Sequence, residues 1–409
     1  MKSRQYQRRQ LLKASLASLG AAAFSPVPVP GVFSRVAHAA ADAAANDRIL
    51  VVLELSGGND GLNTVVPYGD DAYYRLRPSV GIPEKKLLKL DDRFGLNPGM
   101  AGFERLWKDG QLAIVHGVGY DNPSFSHFTS MAYWHTAAPN SGDDYGWFGR
   151  VADAMSPRAQ PNFLINVDTA QSLAVKSRVH TPVVFDDPDK FMRNAFLQEQ
   201  QVLELGPAAV QEANPTRRFL DDVARSAREA SELVRQAWAR FPAKIDYGIN
   251  PLGLNKVAAC IAAGFPTRLY YTAYRNNAFD THVQQNDLHQ RLLTYTADAV
   301  LGFMRDLERL GVADRVALMV FSEFGRRVPE NTSLGTDHGT ANVMFFAGHQ
   351  VAGGHHGVPP SLTDLDGTDN LVHTSDFRRA YATAIDGWLG LGAAESVLKG
   401  RYQPFPVFG

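Results

Sequence analysis

Acidic and histidine side chains recur in several loops of this sequence at spacings that could bind a divalent metal ion. Asp60 lies in a glycine-rich loop, Asp280 and His282 are two residues apart, Glu323 precedes two arginines, and His338 follows another acid. Mixed sets of aspartate, glutamate and histidine suit Zn²⁺ and related divalent ions. Each residue alone is also consistent with a turn or a helix cap, so the elements that position them decide which reading holds.

Five apolar runs predict buried strands, and four of them lie next to one of these polar loops. They cover residues 49–55, 112–115, 268–274, 316–321 and 342–347. Continuous runs with β-branched residues are typical of parallel strands that are buried on both faces. Ligands bind beyond the carboxyl ends of the strands in such sheets. We therefore expect the polar loops to meet at one edge of the sheet.

Amphipathic helical stretches alternate with the strands, most clearly at residues 219–241, 288–310 and 376–389. This alternation predicts an α/β fold with a doubly wound, mostly parallel sheet and helices on both faces. Residues 186–250 are more charged and helical, which indicates an insertion beside the sheet. No linker divides the chain, so we predict a single domain over residues 40–409.

The first 39 residues predict a twin-arginine signal peptide. Arg8 and Arg9 precede two leucines and Lys13, the apolar run 14–24 follows, and a small-x-small cleavage pattern ends at Ala39. An eleven-residue apolar run is shorter than the roughly twenty residues that a membrane-spanning helix needs. We therefore expect recognition by the twin-arginine export machinery, a periplasmic or secreted location, and no integral membrane segment.

The charge of the mature chain argues against nucleic acid as a partner. Residues 1–39 hold six basic residues and no acidic ones, so 35 basic and 42 acidic residues would remain after cleavage. A net negative chain lacks the basic surface that nucleic acid and anionic membranes attract. The single cysteine, Cys260, has no partner for an intrachain disulfide and is expected in the core.

Several motifs together resemble a known bacterial family. They are Gly57-Gly-Asn-Asp-Gly-Leu-Asn-Thr-Val-Val-Pro67, Ser126-His-Phe128, Phe279-Asp-Thr-His282, Ser322-Glu-Phe-Gly-Arg326 and Thr336-Asp-His-Gly339. The chain resembles the domain of unknown function 1501 family, which is typically exported by the twin-arginine route and is similar to the alkaline phosphatase and sulfatase superfamily. The resemblance implies an alkaline phosphatase-like sandwich with a metal site at the strand ends.

The superfamily pattern implies a role for each motif. Asp60 matches an acidic metal ligand, Ser126 a nucleophile at a helix start with Ser124 as the alternative, and the pair Asp280 and His282 two further ligands. Glu323 matches an acid at a strand end, although Phe324 occupies the position of the histidine that should follow. His338 matches the last histidine. A competing alignment pairs Asp337 with His338 and takes His355 or His356 as the last ligand.

The missing histidine affects the number of metal ions that we expect. Asp280, His282 and His338 would form one zinc-type site with an open position. Asp60 and Glu323 would leave a position made of oxygens, suited to Mg²⁺ or Ca²⁺, or empty. Arg326 or Arg327 could hold the anionic oxygens of a substrate.

Three further features have a weaker connection to chemistry. His127 could contact substrate or metal, whereas His289 on the helix after His282 is expected to cap or pack. The Gly57-Gly58 turn lacks the spacing of a dinucleotide-binding loop.

Two functional classes follow from the sequence. The first is an exported metal-dependent hydrolase of a phosphate or sulfate ester. The second is a non-catalytic binding or assembly partner of other exported proteins that retains the fold, because fold alone does not establish a reaction.

Overall fold

A nine-stranded sheet lies at the centre of the part of the chain that the computed structural model describes, residues 47–191, 230–242 and 244–409. A smaller sheet of three strands lies beside it. In chain order the strands are β1 (Ile49–Leu55), β2 (Val65–Val66), β3 (Leu88–Lys89), β4 (Gly95–Leu96), β5 (Leu112–Gly119), β6 (Leu164–Val167), β7 (Val183–Phe185), β8 (Leu269–Tyr274), β9 (Val316–Phe321), β10 (Asn342–Ala347), β11 (Gly354–His356) and β12 (Ser375–Asp376).

The large sheet is mostly parallel, as predicted. Its order is β11-β5-β10-β9-β1-β8-β6-β7, with β12 paired to β5. Among the described strands of this large sheet, only β10 runs antiparallel to its two neighbours, and the other pairings of the sheet are parallel. The five predicted strands are present, and β5 extends four residues further than predicted. The unpredicted strands β6, β7, β11 and β12 have two to four residues each, too few for a clear apolar pattern.

Helices cover both faces of the large sheet, which makes it doubly wound. The described helices are α1 (Gly61–Thr64), α2 (Asp71–Leu76), α3 (Ala101–Lys108), α4 (His127–Thr136), α5 (Trp147–Met155), α6 (Leu254–Ala262), α7 (Gln285–Arg309), α8 (Arg378–Ala382), which continues as a π-helix over Thr383–Trp388, and α9 (Ala394–Leu398). Short 3₁₀ turns lie at Glu84–Lys86, Leu173–Val175 and Ala313–Arg315.

The alternation of side chains along β1 shows why two helical layers are needed. Val51 and Leu53 belong to a buried cluster that contains residues of α3, α6 and α7. Leu50 and Val52 belong to a second cluster that contains residues of α4, α5 and α8. Because successive side chains of a strand point to opposite faces, a strand that is apolar at every position must be covered on both sides.

Two sequence predictions fall wholly or partly outside the described residues. The signal peptide over residues 1–39 lies outside them and stays a prediction, as does export. Of the insertion over 186–250, residues 230–240 are helical, and 192–229 lie outside the described part. The contacts group residues 47–409 into one compact unit. No helix within the described ranges is long and apolar enough to cross a membrane.

The strand directions bring the predicted site loops to one edge. Strands β9, β1 and β8 are parallel neighbours, so the loops after Phe321, Leu55 and Tyr274 start side by side. Since β10 is antiparallel to β9, the segment before Asn342 reaches the same edge. Residues far apart in sequence are therefore close in space.

Candidate metal centre and active site

Two glycines allow the loop after β1 to pack closely against its neighbours. Gly57 and Gly58 have φ angles of 117° and 68°, a region that residues with a Cβ atom rarely adopt. A Cβ at Gly57 would lie 2.6 Å from the amide nitrogen of Asp280, and one at Gly58 would lie 2.2 Å from the ring of Phe324. This close approach fixes the loop of Asp280 against the end of β1.

The carboxylate of Asp280 lies at the centre of three histidine rings. Its Oδ1 is 3.0 Å from Nε2 of His282 and 3.0 Å from Nε2 of His338. Its Oδ2 is 3.3 Å from Nε2 of His127. The Nε2 atoms of His282 and His338 are themselves 2.9 Å apart. We call these four residues the Asp280 cluster.

Each histidine of the Asp280 cluster has its other ring nitrogen, Nδ1, against an oxygen of the protein. The partners are Glu323 Oε1 for His127 at 2.8 Å, Asp337 Oδ1 for His282 at 3.3 Å, and the Phe125 carbonyl for His338 at 2.8 Å. These oxygens can accept a hydrogen bond from Nδ1, and a neutral ring that carries its proton there would present the lone pair of Nε2 to a metal ion. This orientation of histidines is typical of metal ligands.

The polar atoms of the cluster fit a divalent cation. His127, Asp280 and His338 offer ligand atoms that all lie within 4.8 Å of one another. Nε2 of His127 is buried and makes no hydrogen bond with any described residue, despite its distance of 3.3 Å from Asp280. A buried nitrogen without a partner is costly unless a further group satisfies it. A metal ion at this position would satisfy it.

The pKa shifts of Asp280 and two of the histidines bear on how well the Asp280 cluster could bind a cation. Burial opposes ionisation of Asp280, but hydrogen bonds from His338 and Arg326 outweigh it and lower the pKa of this carboxyl group to about 2. Burial also lowers the pKa of His338, which favours the neutral ring that a metal requires. The hydrogen bond that His127 donates to Glu323 raises the pKa of His127. The same negative charge would attract a metal ion to its Nε2.

The structure brings three of the predicted metal ligands together, Asp280, His282 and His338. His127, which the sequence analysis gave as a contact to substrate or metal but did not include in the ligand set, joins them. The available signal was its position directly after the residue that caps α4, which fixes where its ring points. Glu323 differs from the prediction of a direct ligand, because its oxygens accept from Gly57 N, Ser322 Oγ and His127. It orients His127 from behind.

Asp60 lies elsewhere in the site loop, and its prediction as a metal ligand requires correction. It is fully buried, and its Oδ1 caps α1 by accepting from the amides of Leu62 and Asn63. Its Oδ2 accepts from Arg77 and Gln285, both at 2.6 Å. Burial opposes ionisation, yet the charge of Arg77 helps to lower its pKa. An arginine thus occupies the place where a metal ion was expected.

Arg326 also differs from its predicted role. It is buried, and its nitrogens donate to the carbonyls of Gly58, Thr336, Gly57 and Phe279 and to Asp280. These bonds occupy the guanidinium, so it holds loops and Asp280 in place and has no fork free for a substrate anion. Arg327 is more exposed, and its Nε makes no hydrogen bond to the described residues.

Ser126 is the N-cap of α4, at the position predicted for a nucleophile. Its Oγ accepts from the amide of Thr129 at 3.5 Å, and the residue is exposed. It lies between Phe125, whose carbonyl contacts His338, and His127 of the cluster. The Oγ of Ser124 accepts from the amide of Ser126 instead. Both sequence neighbours of Ser126 thus contact the cluster, and among the described residues its own hydroxyl makes only a long hydrogen bond.

Phe324 fills the position where a second metal-binding histidine would be expected. Its ring centre is 5.0 Å from that of His127 and 4.6 Å from that of His338. Together with the placement of Asp60 and Glu323, this aromatic contact leaves one candidate metal position in this group of residues rather than two.

Two other histidines that the sequence analysis considered, His289 and His355, make their contacts outside the Asp280 cluster. His289 is buried, and its Nε2 pairs with Asn59, as expected for a packed residue. His355 contacts His116 and Asp91, so the competing alignment that uses it is not supported by the geometry. Cys260 is buried, and burial raises the pKa of its thiol to about 12.

The described residues thus form a doubly wound α/β fold with a histidine–aspartate cluster at the strand ends that could hold a metal ion. Residues 47–397 match the family described as a protein of unknown function, DUF1501, and the chain belongs to that family. Among curated proteins, none matches the sequence.

Solved structures with 10% identity to this chain are similar at a coarse level. One is Ps i-CgsB in complex with k-i-k-neocarrahexaose, with a TM-score of 0.32 over 87% of this chain and 73% of that one. Another is the lipoteichoic acid synthase LtaP from Listeria monocytogenes, with a TM-score of 0.32 over 74% of this chain and 65% of that one. A third is the C-terminal periplasmic domain of EcEptC from Escherichia coli in complex with Zn, with a TM-score of 0.30 over 75% of this chain and 74% of that one. TM-scores this low carry no information about the function of this chain.

Proposed function

We propose that this chain is an exported, metal-dependent hydrolase of a phosphate or sulfate ester. The observation that carries the proposal is the convergence of three Nε2 atoms on Asp280, each ring oriented by an oxygen at its Nδ1. A set of imidazoles with one carboxylate suits Zn²⁺ better than Mg²⁺ or Ca²⁺.

The exposed side of the cluster gives a substrate access. The side chains of Asp280 and His282 are 31% and 38% exposed, whereas that of His127 is 15% exposed. We therefore assign His127, Asp280 and His338 as the inner ligands and His282 as the donor on the open side. A bound ion would supply Lewis-acid polarisation of the ester's phosphoryl or sulfuryl oxygen.

The start of α4 provides the groups that act beside the ion. The amides of His127 and Phe128 donate to no described residue, and the N-terminus of a helix favours an anion. These amides would bind anionic oxygens of the ester while the hydroxyl of Ser126 attacks the phosphorus or sulfur atom. Attack breaks the bond to the alcohol, which leaves with a proton, and water then releases the acid from Ser126.

A panel of aryl phosphates and sulfates, assayed with Zn²⁺, Mg²⁺, Mn²⁺ or Ca²⁺, tests the proposal. Turnover should require a metal ion and should fall at least about 100-fold in Ser126→Ala, because a nucleophile is lost. Ser124→Ala is the matched control and should retain activity. Metal-dependent turnover that survives in both variants would exclude the serine mechanism. Absence of turnover with every ester and ion would count against a hydrolase.

The alternative, a non-catalytic binding or assembly partner, has one observation in its favour. The fold itself uses two groups that the resemblance assigns to the reaction, since Ser126 caps α4 and the donors of Arg326 are occupied. A stable complex with another exported protein, recovered by pull-down together with a negative ester panel, would favour this class.

A further inference from the structure

Exposed apolar side chains lie next to the histidines of the Asp280 cluster. Phe128 follows His127 and is 88% exposed, and Phe125 is 40% exposed. Val283, which follows His282, is 62% exposed. Large apolar side chains at such exposure are ordinary when scattered, but a group of them at a polar site indicates an interaction surface.

One face of α4 extends this apolar surface into a cavity. Phe128, Met131, Ala132 and His135 recur at the spacing that places residues on one side of a helix. They line a cavity of about 270 Å³ together with Leu173, and His127 and Ser56 lie in the same wall. His127 therefore belongs both to the metal cluster and to this cavity, which we call the α4 cavity.

Two polar residues that line the α4 cavity, His135 and Glu54, already contact each other. His135 Nε2 lies 2.7 Å from Glu54 Oε2, and Tyr271 donates to the same oxygen. A ligand in the cavity would consequently meet the apolar side chains of α4 more than free hydrogen-bonding groups. A cavity of about 150 Å³ can hold benzene, so the α4 cavity has room for an aromatic ring or a short alkyl chain.

We infer that the natural ester carries an aromatic or alkyl group, which lies in the α4 cavity while its phosphate or sulfate group lies at the Asp280 cluster. The inference depends on the proposed function for the identity of the head group. The choice of occupant follows from continuity, because a molecule bound at His127 extends directly along Phe128 and Met131. Burial of such a group on this face removes apolar surface from water on both sides.

Calorimetric titration with methyl sulfate and octyl sulfate tests this inference on the full-length, Zn²⁺-loaded protein. Both probes have the same head group, so their difference reports the alkyl chain. We expect octyl sulfate to bind at least about tenfold more tightly than methyl sulfate, since each buried CH₂ adds to affinity. Phe128→Ser should remove most of this preference.

A matched control and two contrary outcomes make the test decisive. Ile249 is 81% exposed and is absent from the lining of the α4 cavity, so Ile249→Ser should leave the preference unchanged. Equal affinities for the two sulfates, or equal losses in both serine variants, would overturn the inference. If Phe128→Ser instead breaks an oligomer while the two sulfates bind alike, the surface is a protein interface.

The same titration separates this inference from the proposed function. His338→Ala should weaken both sulfates by the same factor, because it alters the head-group site and leaves the apolar wall intact. A chain-length preference in a protein that hydrolyses no ester would support the amphiphilic ligand and contradict the hydrolase. Hydrolysis without any chain-length preference would support the hydrolase and contradict the amphiphilic ligand.

Discussion

Two of the histidine–carboxylate groups among the described residues differ in how their atoms meet. In the Asp280 cluster, the Nε2 atoms of three histidines converge on one carboxylate. In the second group, His116 Nε2 pairs with His355 Nδ1 at 2.7 Å, and His355 Nε2 lies 3.1 Å from Asp91. We call this second group the His116 chain, because only two atoms meet at each of its contacts.

The difference shows that geometry, rather than residue type, distinguishes a metal site. A cation needs three or more ligand atoms around one point, which the Asp280 cluster offers and the His116 chain does not. The His116 chain is also packed against aromatic rings. The ring centres of Phe94 and His116 are 4.9 Å apart, and those of Trp107 and His355 are 4.8 Å apart. Its role is therefore one of packing and hydrogen bonding.

Matched removal of one carboxylate from each group should give the largest contrast. Asp280→Asn should lower Zn²⁺ affinity by more than about 100-fold, because loss of a ligand exceeds the roughly 10–100-fold effect of an outer partner. Asp91→Asn should change it by less than about threefold. Titration against a competing chelator measures both. Equal losses of Zn²⁺ affinity in the two variants would show that the metal is not held at Asp280. Circular dichroism checks that Asp280→Asn remains folded, because Asp280 also contacts the buried Arg326.

A smaller contrast is expected between the carboxylates behind the histidines. Glu323 is fully buried and 2.8 Å from His127, whereas Asp337 is half exposed and 3.3 Å from His282. Glu323→Gln should lower Zn²⁺ affinity by about 10–100-fold, and Asp337→Asn by less, because solvent screens the exposed pair. The reverse order would mean that His282 is the inner ligand and His127 the outer one.

The sequence predicted the sheet and the edge of the site better than the individual ligands. Continuous apolar runs such as residues 49–55 reveal buried strands, and strand ends then locate the site loops. The role of Asp60 depended on Arg77, which lies 17 residues further along the chain and becomes its partner only through tertiary packing. No local pattern signals such a partner. The sequence placed Glu323 at the correct strand end. It did not reveal that the Glu323 carboxylate would contact His127 rather than a metal ion.

The smallest expected effect concerns the pH dependence of stability and comes from the His116 chain. Burial lowers the pKa of His116 to about 3, assisted by the nearby charges of His355 and Arg93 and opposed by Asp91. The unfolded chain takes up a proton at His116 as the pH falls through about 6.5, whereas the folded protein does not until about pH 3. This group therefore favours folding above pH 6.5, and its contribution is lost as the pH falls toward 3.

A comparison of wild type with His116→Phe isolates this contribution. One proton changes the free energy of unfolding by about 1.4 kcal/mol per pH unit at most, so the wild type should lose stability more steeply than the variant between about pH 6 and pH 4. Part of the slope should remain, because burial also lowers the pKa of His289 to about 4. Urea unfolding at several pH values measures the slopes. Identical slopes would show that His116 takes up its proton in the folded protein. The His116 chain and the Asp280 cluster would then differ only in metal binding.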